Sequence, residues 1–513
     1  MNRVTSWLTW LAPFVAVAAL VLATLANFLA HNEYPFARPE VGVLASGAVI
    51  GALGFTLLYA GQRQWGRSFL EGLLASLFVD LNLTFSWSYL VAIAVGLGVA
   101  AYTYFRESSL LRPMAVIGTV ILISSVLGLN GSSEWIRYSP AKPTSSIEQR
   151  PGRALLHIIL DEHIGIEGIP GADPEATALK KELTSFYLSN GFTLYGRAYS
   201  EHFHTVTAIP HVLNYGRHLG RAANKTGVDV GPTVHFDTLS RQGYRLKILQ
   251  FTFANLCTAT PNATCTTYEA TSPVPTLGVP LSTSERALLL LGKIYGLSGL
   301  AKQWAPGRWT LPLREAGRSG SVAGLAAFDH LTKELSNAQV GDAYIAHIFA
   351  PHYPYTVRAD CSYLPWREWK SRRSRVDLRV RQRAYFAQVR CTTAKLRQAL
   401  NAFKSSPGGA NGIVIIHGDH GSRITDRDPT DEESRYLSKA DMIAGFSTLF
   451  ALQTPGVASQ YIREPESIAR LLGEFSASGF RQQPVPRTGA KHEVTLDDRD
   501  WKPKRRHDLP KAW

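Results

Sequence analysis

The residues best placed to do chemistry in this chain are Asp419 and His420, in the stretch GIVIIHGDHGSR at 412–423. Four apolar residues lead into this Asp-His pair, which lies between two glycines. A short apolar run bounded by glycines indicates a buried central strand, and ligands bind where such strands end in open α/β sheets. A carboxylate and an imidazole there can ligate one divalent metal, although an Asp-His pair alone also fits an ordinary turn.

Two further carboxylates follow another predicted strand. The apolar run 154–160 ends in Asp161 and Glu162, and neither has a Lys or Arg beside it in the sequence. Adjacent carboxylates at the end of a buried strand repel each other unless a cation lies between them. A metal at this strand end is one explanation, and a solvated loop is the other.

A candidate nucleophile lies in the loop 200–210, SEHFHTVTAIP, which is rich in hydroxyls and imidazoles and precedes a predicted helix. A helix N-terminus favours anions, so a hydroxyl there is well placed to attack a phosphorus centre and to carry a phosphoryl group. Thr205 and Thr207 are the candidates, and either one also fits the role of an N-cap.

The elements that must position these groups alternate between strands and helices. The runs 244–251 and 343–349 repeat the strand pattern, and the second ends close to His352. Segments with helical spacing lie between and after these strands, at 174–190, 285–300, 327–336 and 381–403. This alternation predicts an α/β domain with a mixed or mainly parallel sheet sandwiched by helices. His352 then follows a strand end, as Asp161 and Asp419 do.

The first 130 residues predict a multi-pass helical membrane domain. Five apolar segments are present, at about 7–30, 41–60, 69–83, 89–105 and 113–129. Basic residues are concentrated before the first segment and in the loops after the second and fourth. This distribution predicts a cytoplasmic N-terminus, five spans, and a chain that lies outside the inner membrane, in the periplasm, after residue 130.

The four cysteines agree with an oxidising compartment. They all follow residue 130, and none forms a Cys-x-x-Cys pair, which disfavours a zinc or redox motif. Proximity in sequence predicts the disulfides Cys257–Cys265 and Cys361–Cys391, with free buried thiols as the alternative.

The remaining segments complete the predicted organisation. Residues 131–152 are rich in Ser, Pro and charge, which predicts a linker. We expect residues 153–483 to form the catalytic domain. Residues 484–513 are highly charged and basic, which predicts an extended and poorly packed C-terminal tail. The net charge of +14 suits a surface near anionic lipid head groups. Because there is no zinc-finger spacing or arginine-rich arm, nucleic acid is not an expected partner.

Taken in order, four segments resemble the alkaline phosphatase superfamily, in its sulfatase-like branch. They are LHIILDEH, HTVTAIP, APHYPY and GDHG, which begin at residues 156, 204, 350 and 418. More narrowly, the chain is similar to membrane-anchored phosphoethanolamine transferases and to phosphoglycerol transferases of the lipoteichoic-acid-synthase type. The resemblance extends over the membrane part and the outer domain, but only the outer domain carries the motifs.

The resemblance implies a metal site. Asp161 or Glu162, together with Asp419 and His420, would hold a divalent cation. The transferases have a single Glu at the first position and sulfatases have two Asp, so the Asp-Glu pair of this chain leaves the first ligand open. Zn²⁺ or Mn²⁺ would be the metal, with Ca²⁺ and Mg²⁺ as further candidates.

The resemblance also implies a nucleophile and substrate contacts. The transferases place their nucleophilic Thr five residues before a Pro, and Thr205, which would also contact the metal, has that spacing while Thr207 does not. His352 would bind the phospho-group or protonate the leaving oxygen. Arg423 and His204 would contact the substrate.

The implied function is transfer of a phosphoethanolamine- or phosphoglycerol-type group from a membrane lipid to a surface glycan or lipid, through a phospho-threonine. Ser422 and Arg423 follow GDHG where the transferases usually have Glu, and no C/S-x-P-x-R segment of a sulfatase lies near Thr205. Two alternatives stand beside the transferase: a phosphodiesterase or sulfatase-type hydrolase of the same fold, and a catalytically inactive membrane protein. The sequence does not determine the oligomeric state.

Overall fold

The structure is a computed structural model, and it describes residues 2–82, 88–128, 134–141, 151–171, 173–217, 227–257, 260, 262–300, 318–370, 377–489, 491–498 and 500–510. The chain divides into two compact units. The first comprises residues 1–135 and 271–319, and the second comprises 136–270 and 320–513. Of the segment 271–319, which the sequence analysis assigned to the catalytic domain, the described residues 271–300 and 318–319 thus belong to the first unit.

The first unit is helical over its described residues. Its helices are α1 Asn2–His31, α2 Pro39–Ala60, α3 Gln64–Asn82, α4 Ser88–Arg106, α5 Leu111–Val126 and α9 Thr283–Leu297. Among the described residues, three stretches are long and apolar enough to cross a membrane: Leu11–His31, Pro39–Ala60 and Tyr89–Arg106.

The prediction of five spans is therefore too high for the helices that the structure describes. Helix α5 is apolar but only 16 residues long. Helix α3 carries Arg67, Glu71 and Asp80 within its 19 residues, and such charges are costly in hydrocarbon. Both helices are present where apolar segments were predicted, but neither has the length and composition of a span.

The second unit is built on strands that alternate with helices. Its helices are α6 Pro174–Ser189, α7 Thr205–Leu213, α8 Val234–Arg241, α10 Gly320–Leu335, α11 Leu378–Lys404, α12 Lys439–Phe446 and α13 Ile468–Ala477. Its strands are β1 Ile136–Ser139, β2 Leu155–Leu160, β3 Thr193–Tyr195, β4 Ala198–Tyr199, β5 Val228–Asp229, β6 Arg245–Phe251, β7 Ala254–Asn255, β8 Thr264–Tyr268, β9 Asp342–Ile348, β10 Ile413–Gly418, β11 Phe450–Gln453, β12 Gln460–Ile462, β13 Glu466–Ser467, β14 Glu493–Asp497 and β15 Pro503–Asp508.

Nine of these strands form one sheet in the order β1-β8-β6-β9-β2-β10-β11-β3-β12. Its centre, from β8 to β10, is parallel, whereas β1 pairs antiparallel with β8, and β11 pairs antiparallel with both β10 and β3. The sheet is therefore mixed rather than mainly parallel. Strand direction depends on the path of each connection, which an alternating pattern of strands and helices does not specify.

The register of the central strands brings their carboxyl ends together. Leu160 at the end of β2 is paired with Ile348 of β9 on one side and with Gly418 of β10 on the other. All three strands are buried along their whole length, which explains their continuous apolar runs. The residues that follow them therefore emerge side by side at one edge of the sheet.

Two predictions about the segments beside this core were wrong. Residues 136–139 of the predicted linker form β1, while most of the remaining linker lies outside the described residues. The predicted tail contains the antiparallel hairpin β14–β15. Val494 and Leu496 are buried against Tyr199 and Phe203, because β14 alternates apolar and polar residues within an otherwise charged sequence.

Both predicted disulfides are present. Cys257 is bonded to Cys265 and Cys361 to Cys391, with Cα–Cα distances of 6.3 Å and 4.9 Å. These distances lie in the normal range for a disulfide. The pairing agrees with the oxidising compartment that the cysteine positions predicted.

Candidate metal centre

Asp161, Asp419 and His420 meet where β2 and β10 end. Each offers a ligand atom within 4.8 Å of the others, and all three side chains are buried. His420 Nε2 lies 3.9 Å from Asp161 Oδ1 and 3.5 Å from Asp419 Oδ2. The in-register pairing of the two strands produces this cluster from residues more than 250 positions apart in the sequence.

The carboxylates of this cluster fit a bound cation. Asp161 Oδ1, Asp161 Oδ2 and Asp419 Oδ2 are buried without a hydrogen-bond partner. Burial raises the pKa of Asp161 well above its usual value, and the neighbouring Asp419 and Glu162 carboxylates raise it further. A divalent metal would supply the positive charge that these oxygens lack, since buried charges are normally paired or bound to a metal.

The orientation of His420 also suits a ligand. Its Nδ1 donates to the Gly421 carbonyl oxygen at 2.7 Å, so Nε2 keeps its lone pair on the side of the two aspartates. Burial lowers the pKa of His420 to about 4, which keeps the imidazole neutral at physiological pH. Asp419 is fixed in the same way, because its Oδ1 accepts from the backbone amides of Glu162 and His420.

Thr205 is the hydroxyl that lies beside this cluster. It is the first residue of α7, and its Oγ1 is 3.4 Å from His420 Nε2. The hydroxyl of Thr207 instead lies 2.9 Å from the His204 carbonyl oxygen and 3.0 Å from Asp497 Oδ2. Of the two candidate threonines, Thr205 is therefore the one whose hydroxyl faces the cluster, and the hydroxyl of Thr207 is bonded at the start of the helix.

Glu162 faces a different partner. Arg423 Nε donates to Glu162 Oε1 at 2.5 Å, and the Arg423 guanidinium lies over the Phe203 ring at 4.4 Å. Asp161, Glu162 and His352 form a second group whose atoms could hold a metal. Because Glu162 is already paired with a cation, Asp161 is the better candidate for the ligand that the sequence left open.

His352 lies on the loop after β9, as its position beyond a strand end predicted. Its Nδ1 is 2.5 Å from the Tyr353 carbonyl oxygen, and its Nε2 is 3.2 Å from Glu162 Oε1. Gln388 of α11 donates to the carbonyl oxygens of Pro351 and His352, and thereby fixes the loop. The sequence analysis missed Gln388, because only the fold brings this helix against the loop.

Asp497 is a second residue that the sequence analysis missed. It is buried at the end of β14, and its Oδ2 lies 2.9 Å from His204 Nδ1. Burial alone would raise the pKa of Asp497, but the neighbouring imidazoles of His202 and His204 outweigh it and lower the pKa. Asp497 thus holds His204, the residue directly before Thr205. The alternation of apolar and polar residues in EVTLD was the signal that could have revealed this strand.

Comparison with known proteins gave matches only among solved structures, since no family model and no curated protein matched the chain. The zinc complex of the C-terminal periplasmic domain of EcEptC from Escherichia coli is 12% identical, with a TM-score of 0.40, and the match covers 73% of this chain and 97% of that one. The lipoteichoic acid synthase LtaP from Listeria monocytogenes is 15% identical, with a TM-score of 0.37, and the match covers 66% of this chain and 74% of that one. An alkaline phosphatase superfamily protein from Vibrio parahaemolyticus is 13% identical (TM-score 0.39; 71% and 76% covered).

Proposed function

We propose that the chain is a membrane-anchored, metal-dependent enzyme that transfers a phosphoethanolamine- or phosphoglycerol-type group from a membrane lipid through a phospho-threonine at Thr205. The observation that carries the proposal is the buried cluster of Asp161, Asp419 and His420 with the Thr205 hydroxyl 3.4 Å from His420 Nε2. This arrangement combines a site for a divalent cation with a nucleophile at a helix N-terminus.

Asp161, Asp419 and His420 would hold the metal, with Thr205 as a further ligand. Two carboxylates, one imidazole and one hydroxyl suit Zn²⁺ or Mn²⁺. When bound, such an ion lowers the pKa of a coordinated hydroxyl and neutralises charge on a phosphoryl oxygen. Glu162 stays outside this ligand set, because it is paired with Arg423.

The residues of the chain divide the reaction between them. Thr205 reacts as the alkoxide, its proton having passed to solvent, and its Oγ forms a bond to phosphorus while the bond from phosphorus to the leaving alcohol breaks. His352 delivers a proton to that leaving oxygen, and Arg423 together with the N-terminus of α7 binds the negative phosphoryl oxygens. An acceptor hydroxyl then attacks phosphorus and passes its proton to His352, and the bond from phosphorus to Thr205 Oγ breaks, which releases Thr205 as the alkoxide.

The apolar helices of the first unit and the disulfides of the second support a location for this reaction at the outer surface of a membrane. Three helices of the first unit are long and apolar enough to cross a membrane, and two disulfides stabilise the second unit. We propose an inner-membrane protein whose catalytic unit faces the periplasm, where a lipid donor and a glycan or lipid acceptor share one surface.

Mass spectrometry of Thr205 after incubation with membrane lipids tests the proposal. The expected result is a phosphodiester adduct on Thr205, whose added mass names the transferred group, and its loss in Thr205→Ala. Thr207→Ala is the matched control and should keep the adduct. Full turnover of a model phosphodiester by Thr205→Ala would refute the proposed nucleophile, and transfer to water alone would identify a hydrolase.

A further inference from the structure

The segment 271–300 is bound to the helices of the first unit at two places. At the first, Leu290 of α9 is buried in a cluster with residues from the end of α1 and the start of α2. The other buried members of this cluster are Leu25, Phe28, Leu29, Tyr34 and Val41.

The second attachment is a buried carboxylate. Asp80, near the end of α3, is fully buried and accepts from Ser298 Oγ at 2.5 Å. It also accepts from the backbone amides of Gly299 at 3.0 Å and Leu300 at 3.1 Å. Asp80 therefore caps the chain that follows α9, and these bonds offset the cost of burying its charge.

These attachments place α9 at the level of the apolar part of α1. The α1 members of the cluster, Leu25, Phe28 and Leu29, precede His31, the last residue of the apolar stretch Leu11–His31, by six, three and two positions. At 1.5 Å per residue, they lie about 3–9 Å inside the end of that stretch. Interfacial helices bury their apolar face about 5–10 Å into the boundary between head groups and acyl chains, so the depth of α9 matches that of an interfacial helix.

The cationic side chains of α9 do not lie on its outward face. Its cationic side chains are turned to protein carbonyls, because the Arg286 guanidinium donates to Thr276 O and Val279 O at 2.7 Å and 2.5 Å, and Lys293 Nζ donates to Thr271 O at 2.5 Å. A helix facing water normally carries its charges on the outward side.

The outward face of α9 carries apolar residues instead. Residues 284, 288, 291 and 295 recur at spacings of four and three and therefore share one face, which holds Ser, Leu, Leu and Tyr. Leu288 and Leu291 are 41% and 40% exposed. Val43, at the start of α2, which contacts α9, is also apolar and 51% exposed.

We propose that α9 is embedded in the membrane leaflet at the end of α1, with Leu288 and Leu291 among the lipid acyl chains. The inference rests on the proposed membrane anchoring of the first unit. The leaflet is the one on the side of the loop 32–38, which the distribution of basic residues assigns to the periplasm. The catalytic chain would then reach into the lipid surface through a segment inserted between β8 and α10.

Depth-dependent fluorescence quenching of the full chain in lipid nanodiscs tests the inference. All four native cysteines are in disulfides, so a single introduced cysteine carries the environment-sensitive fluorophore. Leu288→Cys and Leu291→Cys report on α9. Ile50→Cys, on the 70% exposed middle of α2, is the control for lipid contact, and Val380→Cys, on the 43% exposed start of α11, is the control for water.

Labels at 288 and 291 should be quenched by lipids with a shallow nitroxide at least about twofold more strongly than the label at 380, and they should be protected from aqueous iodide. The label at 50 should respond most to a deep nitroxide. Quenching at 288 and 291 by iodide but not by lipid, with the label at 50 still quenched by lipid, would overturn the inference and leave the anchoring intact. Energy transfer between labels at 291 on two chains, without lipid quenching, would overturn it in favour of a second copy. Failure of lipid quenching at 50 as well would refute the anchoring and the inference together.

Discussion

Replacing Asp161 by Asn should stabilise the metal-free protein and abolish its response to metal. In the absence of a cation, Asp161 places a buried carboxylate with two unpartnered oxygens beside Asp419 and Glu162. The amide of Asp161→Asn has nearly the same shape, carries no charge, and can donate to the unpartnered Asp419 Oδ2. The repulsion within the metal-free cluster is thereby removed.

The expected magnitude follows from the size of the unit that unfolds. Removing an unsatisfied buried polar group is worth about 1–3 kcal/mol, so we expect a gain of about 2 kcal/mol in the free energy of unfolding. For a unit of about 330 residues (136–270 and 320–513), the entropy of unfolding is about 0.7 kcal/mol/K, so this gain raises Tm by about 3 °C. A metal at 100 times its Kd raises the free energy of unfolding by about 2.7 kcal/mol, and Tm by about 4 °C, in the wild type alone.

Thermal unfolding of the full chain in detergent, with a chelator or with excess Zn²⁺, measures both effects. Because burial raises the pKa of Asp161, the assay is run at mildly alkaline pH, which favours the ionised carboxylate over the neutral acid. Asp229→Asn is the control, because it removes a carboxylate at the exposed end of β5. It should change neither the Tm in chelator nor the rise of Tm with Zn²⁺. The order of the two Tm values should reverse between the two conditions. Asp161→Asn should have the higher Tm with chelator, and the wild type should have the higher Tm with Zn²⁺.

Either of two results would refute this reasoning. A lower Tm for Asp161→Asn in chelator would mean that the carboxylate is satisfied without a metal. An undiminished rise of Tm with Zn²⁺ in the variant would mean that the ion binds elsewhere, and Glu162 with His352 would be the next site to test.

Three further predictions concern the groups around this cluster. Arg423→Lys should lower kcat/KM about 10- to 100-fold without changing the affinity for metal. The reason is that a Lys side chain cannot both bond Glu162 and stack on the Phe203 ring. An unchanged kcat/KM would exclude a role for the guanidinium. Asp497→Asn should lower kcat by releasing His204. Since the pKa of Asp497 is lowered in the folded protein, its ionised side chain stabilises the fold fully above a pH of about 3.8, and this effect is lost as the pH falls through the lowered pKa. The urea midpoints of variant and wild type should therefore differ at neutral pH and converge in acid. Double replacement of the disulfide Cys361–Cys391 by Ser should cost about 3–4 kcal/mol of stability for a loop of 30 residues, and equal urea midpoints with and without the bond would contradict this.

The sequence alone determined the parts of this protein that rest on local patterns. Continuous apolar runs revealed β2, β9 and β10, and the charged or imidazole side chains just beyond their ends pointed to Asp161, Asp419 and His352 as candidate site residues. The short spacing between cysteines indicated both disulfides. These features are readable because side-chain alternation and strand ends depend on neighbours in the chain.

The tertiary structure decided which of these groups meet and what each contacts. Pairing of β2 with β10 brings Asp161 beside His420, and the bond from Arg423 to Glu162 separates the two adjacent carboxylates into different roles. Asp497 and the segment around α9 join partners far away in sequence, to which no local pattern points. Strand register and helix docking are fixed by packing between distant residues, so only the folded chain shows how the candidate site is assembled.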